Sequence, residues 1–235
     1  MRVEVEEKVL SENDKLAIGL RERFRKHRVF CLNLISSPGS GKTALLDRTL
    51  EALPKSARVA VLTGDLQTEN DARRLARAGF PVKQITTGDT CHLDASMIQR
   101  ALSDWNLDDI DILFVENVGN LVCPTSYDLG EHAKVVLLSV TEGEDKPLKY
   151  PSIFAIAELC IVNKVDLLPY VPFKLADALA NIRQVHPGME VVETSCTAVR
   201  GPERGRERGI ERGRERGIDA WLAWVERRRR QAMGD

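Results

Sequence analysis

Long apolar runs are missing from this chain, and so is the apolar stretch of a secretory leader. Residues 1–8, Met-Arg-Val-Glu-Val-Glu-Glu-Lys, are charged throughout, and no later segment approaches the roughly 20 apolar residues of a membrane span. A cytoplasmic protein with no membrane partner is expected. An excess of charge is missing too: the net charge is −1, so no global field draws the chain to nucleic acid or to anionic lipid. Cysteines are few and odd in number, five between Cys31 and Cys196, which argues against a disulfide framework and leaves thiols for packing or for metal. What is present, 235 residues of which 43% are hydrophobic, suffices for one sizeable core.

Along the chain, residues 10–28 place Leu16, Leu20 and Phe24 at helical spacing among charged residues, so residues 1–28 read as an amphipathic helical segment. From residue 29 the pattern changes to short apolar runs at 29–36, 58–63, 110–116, 135–141, 159–162 and 191–194. Helical stretches at 43–52, 70–78, 94–102 and 173–185 lie between them. The alternation predicts an α/β fold, a mostly parallel sheet with helices on both faces, over residues 29–200. Residues 203–210 and 211–218 are one octapeptide, Glu-Arg-Gly-Arg-Glu-Arg-Gly-Ile, written twice. Two units are too few for a solenoid and glycine at every fourth position opposes a helix, so 201–218 is expected to be a mobile surface insertion. The interleaved glutamates argue against an arginine arm for RNA. Asp219 is the expected N-cap of a closing helix over 219–235, with Trp221, Leu222, Trp224 and Val225 as its apolar stripe.

Ser36-Ser37-Pro38-Gly39-Ser40-Gly41-Lys42-Thr43 follows the first apolar run. Small residues there let backbone N–H groups turn inward on a phosphate while a new helix presents the positive end of its dipole. Pro38, Gly39, Ser40 and Gly41 are the expected cradle, Lys42 the cation for β- and γ-phosphate oxygens, and Thr43 a hydroxyl ligand for Mg²⁺. Ser36 stands where the P-loop pattern G-x-x-x-x-G-K-S/T has its first glycine. Mg²⁺ needs further oxygen ligands, and Asp65 and Glu116 stand at the ends of neighbouring apolar runs; each is also readable as a helix cap or a solvated loop residue. Glu116-Asn117-Val118-Gly119 is similar to the D-x-x-G element that senses a γ-phosphate. Lys42, Asp65 and Glu116 are the candidate catalytic set.

Asn163-Lys164-Val165-Asp166 follows another apolar run. A carboxylate at Asp166 pairs with the N1–H and exocyclic amine of guanine, which adenine cannot offer, so GTP and GDP are the expected nucleotides. Asn163 would contact the base edge and brace the phosphate loop, Lys164 would lie along the base, and Thr194-Ser195-Cys196 would add a contact to the guanine oxygen. Efficient GTPases often carry a glutamine after the D-x-x-G glycine, but here Asn120 and Leu121 follow, so slow intrinsic turnover is expected.

Cys91, His92 and Cys123 flank the nucleotide-sensing stretches. Thiolate with imidazole suits Zn²⁺ or Ni²⁺, and three ligands leave a vacancy that a two-fold partner or a receiving site could complete. The same residues also read as two packed cysteines and a surface histidine. Cys31 and Cys160, within apolar runs, read as core. His27, His132 and His186 receive no functional reading.

Residues 36–43, Thr63-Gly64-Asp65, 88–93 with Cys-His, 116–124 (Glu-Asn-Val-Gly-Asn-Leu-Val-Cys-Pro), 138–150 and 163–170 together resemble the hydrogenase nickel-incorporation GTPases, the HypB family. The resemblance spans about residues 10 to 200 and resumes at Gly217. It implies a P-loop GTPase that delivers nickel to the large subunit of nickel–iron hydrogenase, through a GTP-favoured homodimer and a small nickel-binding accessory protein. It also implies that Cys91, His92 and Cys123 are metal ligands at the dimer interface. The chain carries neither the N-terminal cysteine motif nor the histidine-rich tract of some relatives, so a storage role is not expected. The duplicated octapeptide stands where relatives have a short loop, and Cys196 departs from the family's usual residue. Rival readings are a urease-type nickel GTPase, disfavoured because Cys91 and His92 are adjacent where that family has Cys-Pro-His, and a GTP-regulated binding module with a structural metal. A small-molecule kinase has no use for residues 163–166.

Overall fold

The computed structural model describes residues 11–65, 70–88, 90–197 and 217–235. In them the chain forms one sheet of parallel strands, β1 (Phe30–Ser36), β2 (Val59–Asp65), β3 (Val82–Thr86), β4 (Ile112–Gly119), β5 (Ala133–Ser139), β6 (Leu159–Asn163) and β7 (Glu190–Thr194). Their order is β3-β2-β4-β1-β5-β6-β7. Around them lie α1 (Glu12–Lys26), α2 (Lys42–Ala52), α3 (Asn70–Ala76), α4 (Ala95–Ala101), α5 (Lys146–Lys149), α6 (Pro151–Ile156), α7 (Leu175–Val185) and α8 (Ile218–Met233). This is the three-layer P-loop NTPase architecture, as the alternation of runs predicts.

Every residue of β1 is buried, as a strand covered on both faces must be. Phe30, Leu32 and Leu34 point to one face and pack with Leu45, Leu46 and Leu50 of α2 and with Trp221 and Trp224 of α8. Cys31 points to the other face, beside Leu20 and Phe24 of α1 and Ile98 of α4. The carboxyl ends of β1, β2 and β4 therefore meet at one edge, between α2 and α4. The α1 helix opens on a capping box in which Ser11 and Asp14 each accept the other's backbone N–H, at 3.1 Å in both cases. Its Ala17 carbonyl lies so near Gly130 that a Cβ there would come within 2.8 Å.

Several expectations change. The strand β3 was not expected, because Lys83 and Gln84 interrupt its apolar pattern at the partly exposed sheet edge. The short helices α5 and α6 were also missed; each has proline in its first turn, where the absent N–H costs no bond. Asp219 is not the N-cap of α8. Gly217 holds that place at φ +82, because a Cβ there would sit on the Glu193 carbonyl oxygen, and Asp219 instead faces the helix dipole from the first turn. The helix is otherwise as expected: Trp221 and Trp224 stack at 5.8 Å, and the Trp221 indole N–H donates to Thr49 Oγ1 at 2.9 Å. The expectation of a mobile insertion over 201–218 falls outside the described residues apart from Gly217 and Ile218, which belong to the α8 boundary. Among the described residues no helix is long and apolar enough to cross a membrane.

Candidate functional site

The β1 strand ends at Ser36, and the chain turns through Gly39 (φ +73) and Gly41 (φ +99) into α2, whose first residue is Lys42. Only glycine takes these angles without strain, and at Gly41 a Cβ would also lie 2.4 Å from the Asn163 amide nitrogen. The loop and the Asn163 segment are thus built against each other. A cleft of about 500 Å³ opens above, lined by Pro38, Lys42 and Thr43 from the loop, by Asp65 and Glu116 from β2 and β4, and by Lys164. Its size suits a nucleotide.

The Lys42 ammonium donates to Ser36 Oγ at 2.8 Å. The residue that departs from the first P-loop glycine is therefore a partner of the loop's lysine, and the Ser40 hydroxyl also reaches it. Burial lowers the Lys42 pKa below the ordinary lysine value, with nearby carboxylates such as Glu116 opposing the shift. Thr43 Oγ1 donates to Glu116 Oε1 at 2.7 Å, while Glu116 Oε2 is buried without a partner. Burial pushes the Glu116 carboxyl up to about 7, against the pull of Lys42 and the Thr43 hydroxyl. A hydroxyl, an orphaned carboxylate oxygen and the carboxylate of Asp65 on the same cleft form a hard oxygen donor set, which fits a divalent cation such as Mg²⁺.

Asn163 Nδ2 donates to the Ser40 carbonyl at 2.9 Å, and its Oδ1 accepts from Thr194 Oγ1 at 2.9 Å. Lys164, at φ +62, reaches back to the Gly39 carbonyl at 2.6 Å. Asp166 accepts from Ser195 Oγ at 2.7 Å and from Thr197 Oγ1 at 3.3 Å. Residues 163–166 and 194–197 are brought together beside the loop. Cys196 gives its carbonyl to Arg48 Nε at 3.1 Å and its thiol lies 3.6 Å from Asn163 Oδ1.

The ligand atoms of Cys91, His92 and Cys123 all lie within 4.8 Å of one another, with the two sulfurs 2.9 Å apart. The Cys91 contact holds the Cys123 thiol above its ordinary value. Tyr127, which the sequence reading passed over, stacks on the His92 ring at 3.7 Å between centroids. Its place four residues after Cys123 was the available signal. Two thiols and an imidazole at this spacing could hold one soft-to-borderline ion. Cys31 and Cys160 are fully buried in the core, as expected. His132 is held neutral: burial lowers its pKa to about 4, and it accepts the Cys31 N–H.

The nucleotide-binding domain model of the CobW/HypB/UreG family matches residues 31–193. The hydrogenase maturation factor HypB of Escherichia coli (strain K12) is 50% identical over 97% of this chain and 73% of its own length. The hydrogenase/urease maturation factor HypB of Helicobacter hepaticus is 46% identical over 82% of this chain and 81% of its own. A structure of HypB from Helicobacter pylori in complex with nickel superposes with a TM-score of 0.81 at 37% identity, covering 94% of this chain and 96% of that one. By sequence and by fold alike, the chain belongs to the HypB family of hydrogenase maturation factors, with a CobW/HypB/UreG nucleotide-binding domain.

Proposed function

We propose that this protein is a GTP-binding and GTP-hydrolysing carrier that delivers nickel to the large subunit of nickel–iron hydrogenase. The observation that carries this reading is the convergence of Cys91 and His92, from the loop after β3, with Cys123, from the segment after β4, the strand that supplies Glu116 to the cleft. Nickel is the cargo. Zinc fits the same donors.

In this reading Pro38, Gly39, Ser40 and Gly41 cradle the phosphates, and Lys42 leaves Ser36 to meet the β- and γ-phosphate oxygens. Thr43, Asp65 and Glu116 hold Mg²⁺, which supplies neutralisation of the phosphate charge when bound. Asp166 accepts two hydrogen bonds from the guanine edge, where it now accepts from Ser195 and Thr197. Ser195 and Cys196 lie beside the guanine oxygen, and Asn163 ties the base to the loop. No glutamine follows Gly119: Leu121 has no polar side chain and the shorter Asn120 amide accepts the Val122 N–H at 2.8 Å, so intrinsic hydrolysis is slow. A homodimer favoured by GTP joins two metal clusters, and a small nickel-binding accessory protein loads them.

The test is nickel transfer from the loaded protein to an apo large subunit, followed with GTP and with a non-hydrolysable analogue. Transfer that requires hydrolysable GTP is expected. Equal transfer with no nucleotide would overturn the carrier reading, and metal that stays bound in every state would point to a structural ion in a GTP-regulated binding module.

A further inference from the structure

The β4 strand does not keep register with β1 to its end. Leu34 is opposite Glu116 but Ser36 is opposite Gly119, so β4 carries one extra residue in between. Such a bulge re-aims side chains. Glu116 meets Thr43 in the cleft, whereas the Asn117 side chain is buried against the metal-bearing loop. Asn117 Oδ1 accepts the backbone N–H of Leu93 at 3.2 Å and of Val118 at 3.0 Å, and its Nδ2 donates to Asn33 Oδ1 at 3.2 Å. Asn33 is fixed in turn, since its Nδ2 donates to Glu131 Oε1 at 3.2 Å.

Leu93 directly follows Cys91 and His92. Its side chain is fully buried against Gly64, where a Cβ would come within 2.9 Å of it. Two residues beyond Asn117, Gly119 presses on the phosphate loop so closely that a Cβ would lie 2.9 Å from Pro38 Cα. The bulge is therefore pinned on one side to the phosphate loop and on the other to the first backbone donor after the two metal ligands. Packed elements of this kind shift between discrete arrangements rather than stretch.

We infer that Asn117 is the positioning residue that couples the nucleotide cleft to the metal cluster, its side chain holding the Cys91–His92 loop to β4 through the Leu93 N–H. The inference rests on the proposed nucleotide-dependent handling of nickel. A displacement of Glu116 or Gly119 on exchange of GDP for GTP carries the Asn117 amide with it, and the loop either follows or loses its bond. Asn117 borders the cleft beside Glu116, but its side-chain amide is spent on Leu93, Val118 and Asn33.

The test titrates Ni²⁺ alone, read by thiolate-to-nickel charge-transfer absorption, in the presence of GDP and of a GTP analogue. Wild type is expected to show a tenfold or larger difference in nickel affinity between the two states. Asn117→Ala should still bind nickel, but its two nickel affinities, each measured at saturating nucleotide, should converge to within twofold. Asn117→Asp keeps the acceptor for the Leu93 and Val118 N–H groups and should retain most of the difference. Asn117→Ala with the full wild-type difference would overturn the inference while leaving the carrier reading intact. A wild type with no difference would remove nucleotide control of the metal, and the inference with it. Hydrogen exchange of the Leu93 amide in wild type needs no variant: protection that changes with nucleotide supports the coupling, and rapid exchange in both states overturns it.

Discussion

Thr43 and Glu116 meet at 2.7 Å across the cleft, hydroxyl to carboxylate, and that single bond leaves the other Glu116 oxygen buried with nothing to accept from. In the nucleotide-free protein the carboxyl titrates near pH 7, because burial disfavours its charge. The folded-state value lies above the unfolded one, so the folded protein holds this proton more tightly. The stability that this proton contributes is fully present below about pH 4.5 and is lost as pH rises through about 7. Glu116→Gln should therefore raise the melting temperature of nucleotide-free protein at pH 8, by an effect of order 1–3 kcal/mol, and leave it unchanged at pH 4.5. Thermal unfolding at the two pH values checks this. An equal effect at both would mean that the charge is not the cause.

Asp166 is positioned by two hydroxyls rather than by a cation. Asp166→Asn should reduce GTP affinity by roughly a hundredfold or more and favour xanthosine triphosphate, whose base presents a carbonyl where guanine has an amine. Competition titration against a fluorescent nucleotide measures the ratio; an unchanged preference would remove the base assignment.

Gly41 sits at φ +99 against Asn163. Gly41→Ala adds both backbone strain and a collision, so it should weaken nucleotide binding and lower stability by about 1–3 kcal/mol. Gly39→Ala, at φ +73 with open space around its Cβ, should cost stability through strain alone. Equal losses from the two would argue against the Asn163 brace.

Cys123 closes the metal cluster from a different loop than Cys91 and His92. Cys123→Ala should lower nickel affinity by at least the 10–100-fold seen on losing an outer-shell partner. Metal content per protomer, measured with GDP and with a GTP analogue, checks it. Full retention of metal would assign the thiols to packing.

Much of this was legible because period and chemistry coincide. The run before Ser36 is apolar at every position but Asn33, as a central parallel strand must be, and the loop after it is too small and too glycine-rich for anything but a tight turn into α2. The pairing of Asn163 with the phosphate loop was foreseen from residue types and is observed at Ser40. Three features were not legible. The strand β3 hides behind Lys83 and Gln84, whose polarity its edge position tolerates. The α8 cap fell to Gly217 because a backbone collision with Glu193, invisible in sequence, outranks the usual preference for Asp. The Asn117 contacts arise from a one-residue bulge, and a shift of register leaves no mark on composition.

Gly217 packs on the Glu193 carbonyl and the Thr194 methyl, so α8 starts beside the last residues of β7. The end of β7 and the beginning of α8 are therefore in direct contact. A side chain grafted at Gly217 would thus be felt twice, at the seat of α8 and at Thr194, whose hydroxyl steadies the Asn163 amide beside the phosphate loop.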